Sequence, residues 1–374
     1  MDQGFTASGA RRRPVRLART EADAKRLLKE MDRAWNRQEE ASTRTTVKAW
    51  AATWLAMTEK TARPTSHSAD RIAVNRWIVP TIGHRRLGDL TPADVRAVAD
   101  VVTVAGNSTS TARRYVTTLR IMLAAAVEEG HPVPARVLRV KKPARAVTDR
   151  QAIPTPVVLE LLAASGELRP VGAGSRWMAA FLEGLRQAEA LGLTWPEVGA
   201  DTMAVSWQLK PLPYNVPRDR SSGFRIPDGY EARRLDGALH LVRPKSKAGW
   251  RVIPILPVMR TALDQWREHA PDSPHGLVWP RPDGRPQTAD ADADAWRALQ
   301  KAAGVAHPAG RPYKGHEIRH TTATLLMELG VPESVRIAIM GHSSIATTHG
   351  YEHVDTTLAR EALAKVAERL QLGG

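Results

Sequence analysis

Residues 316–351, HEIRHTTATLLMELGVPESVRIAIMGHSSIATTHGY, constrain the fold more than any other stretch, because their periodicity dictates two helices with a break between them. Apolar residues at Ile318, Leu325, Leu326 and Leu329 recur at helical spacing, so His316 and Arg319, three apart, share one polar face of the first helix. Gly330 is expected to stop it. Pro332 then opens a second helix with Val335, Ile337 and Ile339 as buried positions, and Gly341 breaks it. His342 therefore falls just past a helix end, and the Ser/Thr-rich run 343–348 leads to Tyr351, whose phenol is expected to be delivered to the His/Arg pair and not packed.

These residue types describe a phosphate clamp. A guanidinium offers planar, permanently charged donors to two phosphate oxygens, and an imidazole adds a donor or proton carrier near neutral pH. A phenol, with a pKa of about 10, attacks phosphorus only where its developing charge meets such a clamp, and it then forms a covalent phosphotyrosine without a metal. Upstream, RWMAAFLEGLRQAEALGLTWPEVG is an apolar helix that breaks at Gly184 and Leu185 and restarts at Gln187. Arg186 is thus placed at a helix junction beside an apolar core, where a charge needs a partner. A salt bridge to Glu189 is the structural reading of that arginine, and it is compatible with a role in the clamp.

The series His316-x-x-Arg319-His320, Gly341-His342-Ser343-Ser344 and Thr347-Thr348-x-x-Tyr351 resembles the tyrosine recombinase (phage integrase) family in order and spacing. G-L-R-x-x-E at residues 184–189, followed by Leu193-x-Trp195, matches the family's first arginine box. The resemblance implies a catalytic set of Arg186, Lys247, His316, Arg319, His342 and Tyr351, with Glu189 and His320 in support. The family's lysine lies in a hairpin turn, here Pro244-Lys245-Ser246-Lys247-Ala248-Gly249; Lys247 is the better match and Lys245 the alternative. The implied fold is mainly α with a small antiparallel β-sheet in the catalytic domain (α+β), arranged as a two-domain DNA clamp. The implied activity is site-specific strand exchange through a 3′-phosphotyrosyl intermediate, with no cofactor and no metal. Double-stranded attachment sites, a homotetramer on synapsed DNA formed from free monomers, and accessory DNA-bending or directionality factors are the implied partners. Integration, excision and resolution stay open, although a basic N-terminal extension favours a phage or mobile element. Two other readings remain: a type IB topoisomerase-like enzyme, with the same chemistry and no site preference, and a non-catalytic helical DNA-binding regulator.

Composition agrees with a polyanionic partner. Among 374 residues, Lys and Arg number 54 against 39 Asp and Glu, a net charge of +15, and the length suits two or three domains. No apolar run approaches the roughly 18 residues of a spanning helix, and the N-terminus lacks a signal-peptide core. A cytoplasmic, nucleoid-associated protein is expected, with no membrane. The absence of cysteine excludes disulfides, thiol nucleophiles and Cys-ligated zinc.

Residues 1–43 are a short basic segment, Arg11, Arg12, Arg13, Arg16 and Arg19 preceding a helical pattern through Ala24, Leu27, Leu28 and Met31; it is either a basic tail with a solvated helix or a reduced arm-binding region. Residues 44–134 read as helical throughout. Val47, Trp50, Trp54 and Leu55 make one stripe, Ile72, Trp77 and Ile78 the next, Thr91 caps a helix at Pro92, and Tyr115, Leu119, Met122, Leu123 and Val127 close the bundle. The tryptophans fall in phase with the other apolar positions and so belong to a core, which leaves Arg113, Arg114 and Arg120 for phosphate contacts. The block resembles the family's core-binding (SAM-like) domain. Residues 135–153 are a basic linker with Lys141, Lys142 and Arg145, expected to bury little, either lying along DNA or simply solvated.

Residues 154–374 form the expected catalytic domain with a C-terminal helix. A helix through Val157, Leu159 and Leu162 opens it, and MAVSWQL, ALHLVRP and WRVIPIL read as strands, the last two joined by the lysine turn. The Pro/Gly/Arg-rich insertion 210–237 is either disordered or reaches toward DNA, with Lys245 beyond it among the DNA contacts. Further helices run through Met259, Leu263 and Trp266 and over 295–301. Asp290, Asp292 and Asp294 lack the glycine and distal glutamate of a calcium loop and read as a helix N-terminal charge cluster, and His342, His349 and His353 make no convincing metal set. Ala359, Leu363, Val366 and Leu370 line one side of the terminal helix, docking in cis or on a neighbouring protomer.

Overall fold

A computed structural model describes residues 17–18, 20–146, 151–216, 218–244, 250–341 and 356–372, with side chains left undescribed over 32–43. The chain divides into two compact units, Met1–Thr148 and Asp149–Gly374.

The first unit is helical: α1 (Glu21–Arg44), α2 (Val47–Thr61), α3 (Pro64–Ala73), α4 (Val79–Ile82), α5 (Pro92–Val104), α6 (Thr109–Glu128) and α7 (Ala135–Leu138). Its core is built on Val47, Trp50, Trp54, Ile78, Leu119, Met122 and Leu123, all buried. Trp50 reaches from α2 to α6, where its indole N–H donates to the Met122 carbonyl at 2.7 Å, so its polar edge is satisfied inside the apolar cluster. The Thr46 hydroxyl accepts the Ala49 N–H and caps α2, and the Asp94 carboxylate accepts the Thr91 N–H at 2.8 Å and opens α5. A π-helical turn, Val74–Ile78, joins α3 to α4. Pro80, which has no N–H to give, follows directly, and a widened turn is how a continuous helix absorbs it.

Three expectations fail here. Ile72 (51% exposed) and Val127 (45%) lie outside the core, because Ala73 and Val74 on one helix and Leu123 and Ala126 on the other take the inward positions. The linker does bury apolar surface: α7 forms within it, Val137 is fully buried, and Leu138 and Val140 pack on the same cluster. Its VLxV spacing makes one short apolar face despite the flanking prolines.

The second unit begins with α8 (Thr155–Gly166), α9 (Ser175–Leu182) and α10 (Gln187–Leu191). Among the described residues five short strands follow: β1 (Thr202–Val205), β2 (Gln208–Pro211), β3 (Ala232–Asp236), β4 (Leu239–Val242) and β5 (Arg251–Pro254). All pairings are antiparallel, β1 with β5 in one sheet and β2-β4-β3 in the other. The sequence expectation of one small sheet is therefore refined to two, and β4 and β5, on either side of the lysine turn, belong to different sheets. The insertion is corrected as well. Its distal part forms β3 against β4, and Tyr214 stacks on Phe224 at 4.9 Å, with Phe224 edge-on to His240.

Helices α11 (Pro257–His269), α12 (Ala289–Ala302), α13 (Gly315–Glu328), α14 (Glu333–Met340) and α15 (Thr356–Arg369) complete the unit. Ile318, Leu325, Leu326, Val335 and Ile339 join Phe181, Leu182, Ile253 and Leu263 in one core. Ile337 is only half-buried, and Met340 takes the inward position instead. Leu363 and Val366 of α15 are fully buried in this same core, each such side chain contributing about 1.5–3 kcal/mol. In the single chain, then, α15 closes its own domain, against α13, α14 and β5.

Candidate active site

Arg186 ends a tight turn that begins at Gly184. That glycine adopts φ +61°, and a Cβ placed on it would lie 2.7 Å from the Met340 sulfur, so the turn needs both glycine's left-handed freedom and its lack of a side chain. The turn redirects the chain from α9 into α10. Glu189, in the first turn of α10, accepts the Arg186 backbone N–H at 3.0 Å through Oε2 and the Arg186 Nη1 at 2.6 Å through Oε1. The salt bridge expected from sequence is thus present, and Arg186 keeps 32% of its side chain exposed.

Arg319, in the middle of α13, is 4% exposed. The face it shares with His316 and His320 is split: the two histidines are exposed, while Arg319 is buried at its edge beside the fully covered Thr322. Arg319 donates to the carbonyls of Gly184 and Met340, while Arg186 Nη2 donates to the Gly341 carbonyl at 3.0 Å. The two guanidiniums therefore grip adjacent carbonyls at the C-terminal end of α14, where unsatisfied acceptors and the helix dipole favour cations. Gly341, in the left-handed conformation at φ 62°, ends that helix as expected.

His316 is exposed on the first turn of α13, its ring edge-on to His320 at 4.8 Å. Glu317 fastens this helix start: it accepts the Lys314 N–H at 2.6 Å and both terminal nitrogens of Arg311, at 2.7 and 3.0 Å. His316, Arg186, Arg319 and Gln187 line one pocket of about 370 Å³ together with Trp296 and Arg176. Arg176 forms a buried bidentate pair with Asp292 of α12, which also accepts from Gln187 at 3.0 Å. One aspartate of the acidic cluster thus has an interior partner that its helical position did not announce.

Sequence reasoning missed Arg251, the first residue of β5. Its Nε donates to the Ile339 carbonyl at 2.6 Å and its Nη2 to Glu189 Oε2 at 2.9 Å. A signal existed: Arg251 is in two-residue phase with the buried Ile253 and Ile255, while Val252 between them is 52% exposed. A second residue missed is Glu183, fully buried, with both carboxyl oxygens lacking a hydrogen-bond partner among the described residues.

The charges are unbalanced in a way that suits an anion. Burial raises the Glu189 pKa, but Arg251 and Arg186 more than offset it and hold the carboxyl at about 2, so it is ionised. Burial pushes Glu183 well above the usual carboxylate range, Arg251 opposing, which favours its neutral form. Arg319 is pulled down to about 9 by burial and by the neighbouring Arg186 and Arg251. Three guanidiniums face one ionised carboxylate, and a bound phosphodiester would relieve the excess positive charge.

Lys245, Lys247, His342 and Tyr351 lie outside the described residues, as do His349 and His353. Of the proposed DNA contacts, Arg114 and Arg145 are exposed, Lys141 is exposed and Lys142 half-buried, and Arg120 is half-buried. Arg113 has an internal task. Its Nη1 donates to the Pro143 carbonyl at 2.8 Å, which, with Ser110 accepting the Ala146 N–H, ties the linker to α6.

Residues 231–357 match the sequence profile of the phage integrase family. An integrase of Saccharopolyspora erythraea is 24% identical, over 87% of this chain and 82% of its own. Among solved structures, the integrase of transposon Tn1549 in complex with a circular intermediate DNA superposes with a TM-score of 0.66 at 17% identity, covering 86% of this chain and 99% of that one. A lambda integrase tetramer bound to a Holliday junction gives 0.57 at 15%, covering 93% and 94%. At these identities the structural likeness is one of fold.

Proposed function

This chain belongs to the phage integrase family of tyrosine recombinases, and from that premise we propose how its side chains divide the work of cutting and rejoining DNA at specific sites. Arg186 and Arg319 hold the nonbridging oxygens of the scissile phosphate, with His342 as a third donor. The Tyr351 phenol oxygen bonds to phosphorus while its proton passes to His316, and the bond from phosphorus to the 5′ oxygen breaks. Lys247, or Lys245 in its place, protonates that leaving oxygen. A 3′-phosphotyrosyl bond and a free 5′-hydroxyl result. Attack by the 5′-hydroxyl of a second duplex reverses the step, so the phosphodiester energy is retained and no nucleotide cofactor enters.

What supports the reading is the clamp: two arginines donating to neighbouring carbonyls beside an exposed histidine, with one ionised carboxylate to balance them. Glu189 orients Arg186, and His320 braces His316. Exchange of four strands needs four such sites, hence a tetramer on two duplexes assembled from free monomers; lambda integrase is seen as a tetramer bound to a Holliday junction. Residues 1–43 would touch accessory sites, 44–134 would grip the core site through Arg114 and Arg120, and 135–153 would follow the backbone with Lys141, Lys142 and Arg145. The substrate is chromosomal and mobile-element DNA, met at the bacterial nucleoid, with accessory bending or directionality factors setting the outcome.

The test is covalent capture. The purified chain is incubated with a pool of lightly nicked duplexes carrying a randomised centre, and SDS-resistant protein–DNA adducts are recovered and sequenced. A recurring site that forms an adduct with the unaltered chain and none with Tyr351→Phe is expected. Relaxation of supercoiled plasmids without any recurring site would point to a topoisomerase-like enzyme, and site binding with no adduct would point to a regulator.

A further inference from the structure

We propose that Arg251 is a positioning residue that sets the orientation of Arg186 by occupying one oxygen of Glu189. The inference rests on the phosphoryl-transfer reading of this site. Arg251 is 7% exposed, too covered to offer its guanidinium to a bound duplex. Its donors are committed inward. Nε holds the Ile339 carbonyl in the last turn of α14, and Nη2 holds Glu189 Oε2.

The consequence lies in how the carboxylate is shared. An arginine three residues before a glutamate can fork onto both carboxylate oxygens, the geometry a guanidinium favours. Here Oε2 is taken by Arg251 and by the Arg186 backbone N–H, so the Arg186 side chain reaches only Oε1, through Nη1. Nη2 of Arg186 is left for the Gly341 carbonyl, beside Arg319, and the exposed part of the group stays turned outward, where a phosphate would bind. Without Arg251, Arg186 can swing onto both oxygens and withdraw from the clamp.

Arginine is required for this and lysine is not equivalent. The two acceptors, Ile339 and Glu189, sit on different elements and are reached by different nitrogens of one rigid fork, whereas an ammonium is a single point. The third nitrogen, Nη1, is buried without a partner among the described residues, and so is the carboxyl of Glu183, which feels the charge of Arg251. Arg251 is therefore held inward by two acceptors on different elements, the pattern of a group that fixes its neighbours and does not turn over with substrate. It also sits one residue from Trp250, where the chain leaves the lysine turn, so the same bonds tie that turn's exit to α10 and α14.

The experiment uses the full-length chain and the nicked duplex that the unaltered chain captures. Duplex affinity, single-turnover adduct rate and melting temperature are measured for Arg251→Lys, Arg251→Met, Arg186→Lys and the double variant Arg251→Lys/Arg186→Lys. Arg251→Lys should bind the duplex and melt much as the unaltered chain does, yet form the adduct about 10- to 100-fold more slowly, the loss expected of one charge-assisted hydrogen bond. In the Arg186→Lys background the same change should add less than about threefold, because residues acting through one another are non-additive. An adduct rate unchanged in Arg251→Lys, or losses that multiply in the double variant, overturns the proposal. Failure of the unaltered chain to form any adduct on a bound duplex would instead overturn the functional reading beneath it. Arg251→Lys keeps the buried charge, so the proposal stays testable even if Arg251→Met does not fold.

Discussion

Replacing Glu189 by Gln preserves shape and removes the single negative charge on which the clamp is built. The side chain is fully buried and accepts three hydrogen bonds, from Arg186 Nη1, the Arg186 N–H and Arg251 Nη2. A glutamine can keep its oxygen toward Arg251 or toward Arg186, but its amide then presents N–H to the other donor. Arg251 and Arg319, both buried, would face Arg186 without a counter-ion. Breaking a buried ion pair by removing one partner costs about 3–5 kcal/mol, and at about 2–4 °C per kcal/mol for a unit of this size that lowers its melting temperature by roughly 6–20 °C. Scanning calorimetry of the full chain reads this as a shift in the transition of the Asp149–Gly374 unit, with the Met1–Thr148 unit unmoved. The pH dependence has a definite sign. The Glu189 carboxyl is held at about 2 against an ordinary 4.5, so its contribution is complete above about pH 4.5 and is lost as pH falls through about 2. The gap between the two proteins should stay constant at neutral pH and close in acid. Arg186→Gln, at a partly exposed position, is the comparison; a shift for Glu189→Gln no larger than for Arg186→Gln would refute the central role of this carboxylate.

Gly184→Ala forces a Cβ against the Met340 sulfur in a left-handed conformation that alone costs about 1–2 kcal/mol. Because the Met340 carbonyl is an acceptor for Arg319, the variant should lose adduct rate as well as stability, read by capture kinetics and melting together. Glu183 behaves oppositely to Glu189: its folded pKa is raised, so the unfolded chain ionises first, and stability falls as pH rises above about 4.5 toward the folded value. Glu183→Gln should therefore gain melting temperature over the unaltered chain as pH rises above the ordinary carboxylate value of about 4.5, checked by thermal shift across a pH series. Trp50→Phe deletes the bond to the Met122 carbonyl and part of a buried ring, which should lower the urea midpoint of the helical unit by an amount equivalent to about 1–3 kcal/mol.

Much of this protein was legible because the governing physics is local. Helical periodicity placed Ile318, Leu325 and Leu326 inside, and glycine's tolerance of positive φ marked the ends at Gly184, Gly330 and Gly341. The Thr91-Pro92 start and the apolar side of α15 through Leu363 and Val366 follow from the same short-range rules. Those patterns also put His316 and Arg319 on one helix and Arg186 at a junction, together with the acid that pairs with it. What they could not supply was the set of acceptors. Arg186 meets a carbonyl 155 residues away, and Arg251 meets one 88 residues away, and neither separation leaves a trace in any periodicity. The same limit explains why the two strands flanking the lysine turn were read as partners although they join different sheets, why the insertion's pairing strand went unseen, and why the bond from Arg113 to the linker carbonyl of Pro143 had no signal in the sequence. Sequence determined the kinds of groups and the local frames that carry them, since propensity and capping act over a few residues. Only the tertiary structure decided which charges share a carboxylate, because that depends on where distant backbones pass within about 3 Å of one another.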